Sequence, residues 1–128
     1  MSTASALPDV IRHIERVDPG VVEQAAQYPS SILADVAGRR GAMHGRIAPL
    51  APSMKFAGPA LTVEVRPGDN LMIHAALALA QPGDVIVVDG KGDLSCALMG
   101  EIMCQQALAL GVVGVVIDGA ARDSEALR

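Results

Sequence analysis

The stretch PGDVIVVDGKGDLSCALMGEIMCQQALALGVVGVVIDGAARD, residues 82–123, decides the fold. It holds two apolar runs that resemble each other, VIVVDG at residues 85–90 and GVVIDG at residues 114–119. Neither alternates with polar residues, which is the pattern of a strand covered on both faces. Between them, DGKGDLS reads as a glycine-rich loop. Residues 97–110 read as a helix capped by Asp93 or Ser95, with Gly111 as the residue just past its end. A strand, helix, strand order implies two parallel strands joined by a right-handed crossover. Ligands bind such sheets outside the carboxyl ends of the strands. Both Asp-Gly corners, at residues 89–90 and 118–119, fall there.

Working outward, LTVEV alternates apolar and polar residues, so residues 60–65 are expected to form a strand with one exposed face. Residues 46–50 read as another strand. The turn PGDN, residues 67–70, offers Asp69 or Asn70 as a cap for the helix LMIHAALALA, which Pro82 and Gly83 terminate. Two short helices are expected at residues 21–27 and 30–36, and GRRGAMHGR reads as a basic loop. Residues 1–20 are expected to be a helical leader that stops at Pro19 and Gly20, with the main domain at residues 21–128. DSEAL looks like the first turn of one more helix. The fold class is therefore α/β.

A chain of 128 residues is one domain's worth, and 51% hydrophobic residues are enough for a core. Aromatics are 2%, so that core must come from Val, Ile, Leu, Ala and Met. The net charge of −4 and the shortage of stacking aromatics argue against a nucleic-acid partner. No apolar run reaches the roughly 20 residues of a membrane span, and no signal-peptide pattern opens the chain. Cys96 and Cys104 are expected on one helix, ~12 Å apart along its axis and too far for a disulfide. Two buried, reduced thiols suit a cytoplasmic protein.

The chemistry gathers at the end of the second apolar run. Arg122 carries a planar fork suited to a carboxylate or keto oxygen. Asp123 is a hard oxygen ligand of the kind Mg²⁺ or Mn²⁺ takes with several waters. Gly90, Gly92 and Gly100 allow a close backbone approach, and free N–H groups at a helix start favour an anion. Together these groups suit a 2-oxo acid. The same residues also admit a plainer reading, in which Asp123 caps a helix and Arg122 is solvated surface. DGKGDLSCALMG does not supply G-x-G-x-x-G in frame, so a dinucleotide site is disfavoured. His74 and Lys91 read as a surface histidine and an exposed loop lysine, and Met72, Met99 and Met103 as packing residues.

Residues 82–123, with SSILADV, FAGPALTVEV and GDNLMIHAAL upstream, resemble the RraA-like family over roughly residues 20–128. That family includes metal-dependent 4-hydroxy-4-methyl-2-oxoglutarate aldolases that also decarboxylate oxaloacetate, and regulators of ribonuclease E activity. Its pattern is an acidic residue, twenty residues, then Arg-Asp with a further acid nearby. Here Glu101 precedes residues 102–121, then come Arg122 and Asp123, with Glu125 close by at a slightly different spacing. The resemblance implies that the backbone of Gly100, Glu101, Ile102 and Met103 holds the substrate carboxylate. It implies that Arg122 binds the keto or enolate oxygen, that Asp123 ligates a divalent metal (Mg²⁺, with Mn²⁺ or Co²⁺ as alternatives), and that Glu101 acts on a metal-bound water. The implied enzyme is a carbon–carbon lyase, a class II pyruvate aldolase with oxaloacetate decarboxylase activity. A non-catalytic, protein-binding regulator is the alternative. The family implies a swivelling-domain-type α/β sandwich with a central layer of strands, a homotrimer or dimer of trimers, and a chain continuing beyond residue 128, so a C-terminal truncation is expected.

Overall fold

The computed structural model describes residues 10–128. Elements follow in the order α1 (Pro19–Ala25), α2 (Ser30–Val36), β1 (Ala60–Glu64), α3 (Leu71–Leu79), β2 (Val85–Met99), α4 (Glu101–Ala109), β3 (Gly114–Ala121) and α5 (Ser124–Leu127). The three strands form one parallel sheet in the order β1-β2-β3. The architecture is mixed α/β, as the two apolar runs require.

The core lies between the sheet and the helices. In β1 the alternation buries Leu61 and Val63 and exposes Ala60, Thr62 and Glu64. Ile73, Ala76 and Leu77 of α3 recur at the spacing of one helix face and pack with Leu61, Val63, Ile86 and Val88. Leu98, Met99, Ala107 and Val112 close the cluster near the third strand. Aliphatic side chains supply all of it, as the composition demanded. Gly111 ends α4 with φ +82, and a Cβ there would sit 2.9 Å from Pro82, so the backbone and the packing both select glycine.

Several sequence expectations are corrected. Residues 10–18 are not helical, and Pro19 and Gly20 begin α1 rather than ending a leader helix. Proline at the first helical position gives up an N–H that has no partner anyway, and Asp18 accepts from the Gly20 N–H at 2.7 Å. The part of the leader at residues 1–9 lies outside the described residues. Residues 46–50 form no strand: Ile47 N–H turns back to the His44 carbonyl, and Pro49 lacks a ladder donor.

The loop DGKGDLS and the start of a helix at residue 97 are corrected together. β2 runs on to Met99 as an irregular arm whose pairing with β3 shifts between Asp89, Asp93, Ala97 and Met99. These bulges absorb the extra residues. The helix waits until Glu101 because Gly100 is extended, with φ −145 and ψ −162. Cys96 and Cys104 therefore do not share a helix. Both are free thiols, and Cys96 is exposed rather than buried. β3 is half-buried along Gly114–Ala120 rather than covered on both faces, because it lies at one end of the strand order.

Candidate active site

The carboxyl ends of β2 and β3 meet at Met99 and Ala121, which are register partners. One residue further, the Arg122 N–H donates to the Met99 carbonyl at 2.9 Å. That bond holds the start of α5 against the start of α4. Asp123 then adopts φ +61, ψ +38, a left-handed conformation unusual for a residue with a side chain. It occupies the capping position of α5, yet its side chain makes no capping bond there. The carboxylate instead accepts from the Glu101 N–H, 3.1 Å away and at the start of α4. The plainer sequence reading of Asp123 as a helix cap is thus half right: it caps, but the helix is α4.

Gly100 makes this juxtaposition possible. A Cβ at residue 100 would lie 2.7 Å from Asp123 Oδ2, 2.8 Å from Arg122 Cγ and 2.9 Å from Arg122 Nε. Any side chain there would push the arginine and the aspartate away from the α4 N-terminus. Arg122 Nε lies 3.8 Å from Asp123 Oδ2, with 72% of the arginine side chain and 45% of the aspartate side chain exposed. Both groups are open to a ligand. A cleft of about 180 Å³ adjoins them, lined by Asn70, Leu98, Met99, Gly100, Ile102, Met103 and Arg122 among others. The first N–H groups of α4 have no partner within the helix, and its positive dipole end lies here.

The structure thus brings together Gly100, Glu101, Ile102, Met103, Arg122 and Asp123. Ile102 is 80% exposed at the cleft. Glu101 is exposed in the first turn of α4 and Glu125 in the first turn of α5. Lys91 stands apart, bonded to Glu64 at 2.9 Å and Asp89 at 3.2 Å. His74 is exposed on α3. Met99 is buried, and Met72 and Met103 pack against the core.

Sequence reasoning missed a second charged group at the same end of the sheet. Glu64, Asp89 and Asp118 are register partners on the three strands. Arg46 donates to both oxygens of Asp118, from Nε at 2.8 Å and from Nη2 at 2.7 Å. This pair holds the Asp118 carboxyl below its usual pKa and raises that of Arg46. Lys91 holds Asp89 below the usual range through backbone and side-chain hydrogen bonds. The two matching Asp-Gly corners were the available signal for this row. Nothing near Arg46 marked its partner 72 residues away.

A divalent cation would find hard oxygen at Asp123. Among the described residues there is no group of three or more His, Cys, Asp or Glu side chains able to hold a metal ion. One half-exposed carboxylate fits Mg²⁺, which keeps most of its waters and takes few protein ligands.

Residues 16–128 match the RraA-like family, described as Aldolase/RraA. A Halalkalibacterium halodurans protein named "Putative 4-hydroxy-4-methyl-2-oxoglutarate aldolase" is 39% identical over 105 residues, covering 82% of this chain and 50% of that protein. A Burkholderia mallei protein of the same name is 40% identical over 79 residues, covering 62% of this chain and 47% of its own. This chain spans about half the length of these curated relatives. Among solved structures, the RNA-processing inhibitor RraA from Thermus thermophilus superposes with a TM-score of 0.70 at 32% identity, over 79% of this chain and 61% of that one. Streptomyces coelicolor RraAS2, described as an unusual member of the RNase ES inhibitor RraA family, gives 0.79 at 29% identity, over 91% of this chain and 61% of that one. With 16–128 matched, the chain belongs to the RraA-like family.

Proposed function

We propose that this protein is a divalent-metal-dependent carbon–carbon lyase acting on small 2-oxo acids. The substrate named by the aldolase relatives is 4-hydroxy-4-methyl-2-oxoglutarate, and the family resemblance adds oxaloacetate as a second. One observation carries the reading: Asp123 Oδ2 lies 3.1 Å from the Glu101 N–H, so a guanidinium, a hard carboxylate and a helix N-terminus share one cleft edge.

In this reading the N–H groups at Gly100, Ile102 and Met103 bind the substrate carboxylate at the positive end of α4, and the Glu101 N–H joins them as Asp123 turns from it toward the cation. The Arg122 fork binds the 2-oxo oxygen and stabilises the negative charge that grows on it. Asp123 would hold the cation (Mg²⁺, or Mn²⁺ or Co²⁺), which when bound supplies Lewis-acid stabilisation to that same oxygen. As the C4 hydroxyl loses its proton, the C3–C4 bond breaks and its electron pair passes into the enolate of one pyruvate. The C4 fragment leaves as a second pyruvate, and protonation at C3 completes the first. Glu101, exposed beside the cleft, is the group assigned to move these protons. Oxaloacetate enters the same path, with carbon dioxide leaving in place of the second pyruvate.

A homotrimer or dimer of trimers in the cytoplasm accompanies this reading, as in the resembling family. Among the described residues, no helix is long and apolar enough to cross a membrane. The likeness to the RNA-processing inhibitor RraA favours a second reading, a regulator that works by binding a protein partner. Pyruvate release from both substrates, with Mg²⁺ and then with EDTA, separates the two. Metal-dependent release supports the lyase. A folded protein with no release from either substrate overturns it.

A further inference from the structure

Asn70 precedes α3, at a position where asparagine ordinarily accepts a hydrogen bond from the helix it opens. Here it makes no such bond. Asp69 takes over, accepting from the Leu71 N–H at 3.0 Å. The Asn70 amide instead reaches across to a different element. Its Nδ2 donates to the Leu98 carbonyl at 3.1 Å and approaches Met103 Sδ at 3.6 Å. A carbonyl oxygen only accepts, so the nitrogen must face Leu98, which fixes the orientation of the amide.

These two contacts bracket the turn that matters. Leu98 lies two residues before Gly100, and Met103 three residues after it. The turn between them carries the three bonds that shape the cleft edge: Arg122 N–H to the Met99 carbonyl, Cys104 N–H to the Gly100 carbonyl, and Glu101 N–H to Asp123. Asn70 also lines the cleft itself. A residue placed to cap α3 thus makes its hydrogen bond 28 residues away, beside the candidate site.

We infer that Asn70 is a positioning residue: it locks the strand exit of β2 to the first turn of α4 and so aims the N–H groups that receive the substrate carboxylate. This deepens the lyase reading and rests on it for the identity of the anion. The positioning role itself is local and can be read without any ligand.

The test compares the parent protein with Asn70→Ala, Asn70→Asp and Asn70→Gln. Asn70→Asp keeps the shape but sets a carboxylate oxygen against the Leu98 carbonyl; Asn70→Gln keeps the donor. In the ligand-free, metal-free protein, amide exchange at Glu101, Cys104 and Arg122 is measured against the β1 and β2 ladder. Expected is exchange about fivefold to tenfold faster at those three amides in the Ala and Asp variants, the worth of one hydrogen bond. The ladder should be unchanged, and Gln should restore part of the protection. Unchanged exchange at all three amides in both variants overturns the inference. Oxalate, a planar dicarboxylate probe, is then titrated while the amides at residues 100–103 are followed. Expected is binding by the parent, weakened by a similar factor in the Ala and Asp variants. Equal oxalate affinity in parent, Ala and Asp proteins overturns the inference. Failure of the parent to bind oxalate sinks the carboxylate cradle of the lyase reading, and the exchange result alone then decides Asn70.

Discussion

The carboxylate of Asp123 accepts the backbone N–H of Glu101 at 3.1 Å, so the residue at the turn of one β-α unit caps the helix of the unit before it. Its charge and its acceptor role are separable by substitution. Asp123→Asn keeps an oxygen for the Glu101 N–H but removes the negative charge a cation needs. Asp123→Ala removes both. Each variant is expected to lose at least about a hundredfold in metal-dependent pyruvate release, as loss of a principal electrostatic group does. Stability should fall only for Ala, by the roughly 1 kcal/mol a lost cap costs, and its melting temperature with it. Parallel assays with Mg²⁺ and EDTA, and thermal melts, check this. Mg²⁺-dependent turnover retained by Asp123→Ala would remove Asp123 from the site.

Gly100 makes the strongest demand on backbone space at the cleft. Its missing Cβ leaves room for Arg122 and Asp123 at distances no real Cβ tolerates. Its φ of −145 is open to any residue, so Gly100→Ala strains contacts rather than backbone. The Arg122 side chain, mostly exposed, can swing aside. We expect a folded protein with kcat/KM for oxaloacetate reduced about tenfold to a hundredfold, the cost of misplacing a substrate-binding group by about an ångström. Circular dichroism and steady-state kinetics on one preparation test it; unchanged kinetics would show that the arginine need not occupy its observed place.

At the opposite end of the sheet, Arg16 and Asp84 make a two-pronged ion pair at 2.7 and 2.8 Å. Asp84 is fully buried and also accepts from the Gln81 N–H. The pair ties residues 10–18 to the entry of β2. Arg16→Ala strands a buried carboxylate and should cost about 3 kcal/mol in urea unfolding. Bonding to Arg16 holds the Asp84 carboxyl below the ordinary aspartate value. A lowered folded pKa means that the unfolded chain binds the proton more readily. The stabilisation is therefore full above about pH 4, the unfolded value, and is lost as pH falls through the folded one. Arg16→Ala should weaken the acid-side slope of stability, and a slope identical to the parent's would place the pH dependence elsewhere.

Much of this was legible in the sequence, and the limits have physical causes. The runs at residues 85–90 and 114–119 announced two parallel strands, but full burial held only for the first run's inner residues; β3 lies at one end of the strand order and is half-buried. The twenty-residue spacing from Glu101 to Arg122 likewise fits one helix and one strand back to the same sheet end. Local signals failed where long-range bonds decided. Residues 91–99 carry loop and helix-forming residues, yet pairing with β3 draws them into an irregular strand. Pro19 and Gly20 look like a stop, yet Asp18 turns them into a start. Asn70 and Arg46 look like a cap and a loop arginine, and only their distant partners, Leu98 and Asp118, reveal what they hold.

Arg122 tests whether the site needs a shape or only a charge. Its side chain is 72% exposed and its backbone, not its guanidinium, holds the strand end to Met99. Substitution should therefore leave the fold intact. Lysine would keep the positive charge but present a single ammonium in place of a planar fork. If the guanidinium stabilises charge on the 2-oxo oxygen, Arg122→Lys should lower kcat by about a hundredfold or more, the usual effect of losing one such donor. Arg122→Ala should fall at least as far. KM should change less than kcat in the Lys variant, since ground-state attraction for the anion survives. A rise in KM at constant kcat would instead make Arg122 a binding group, with charge stabilisation left to the cation at Asp123.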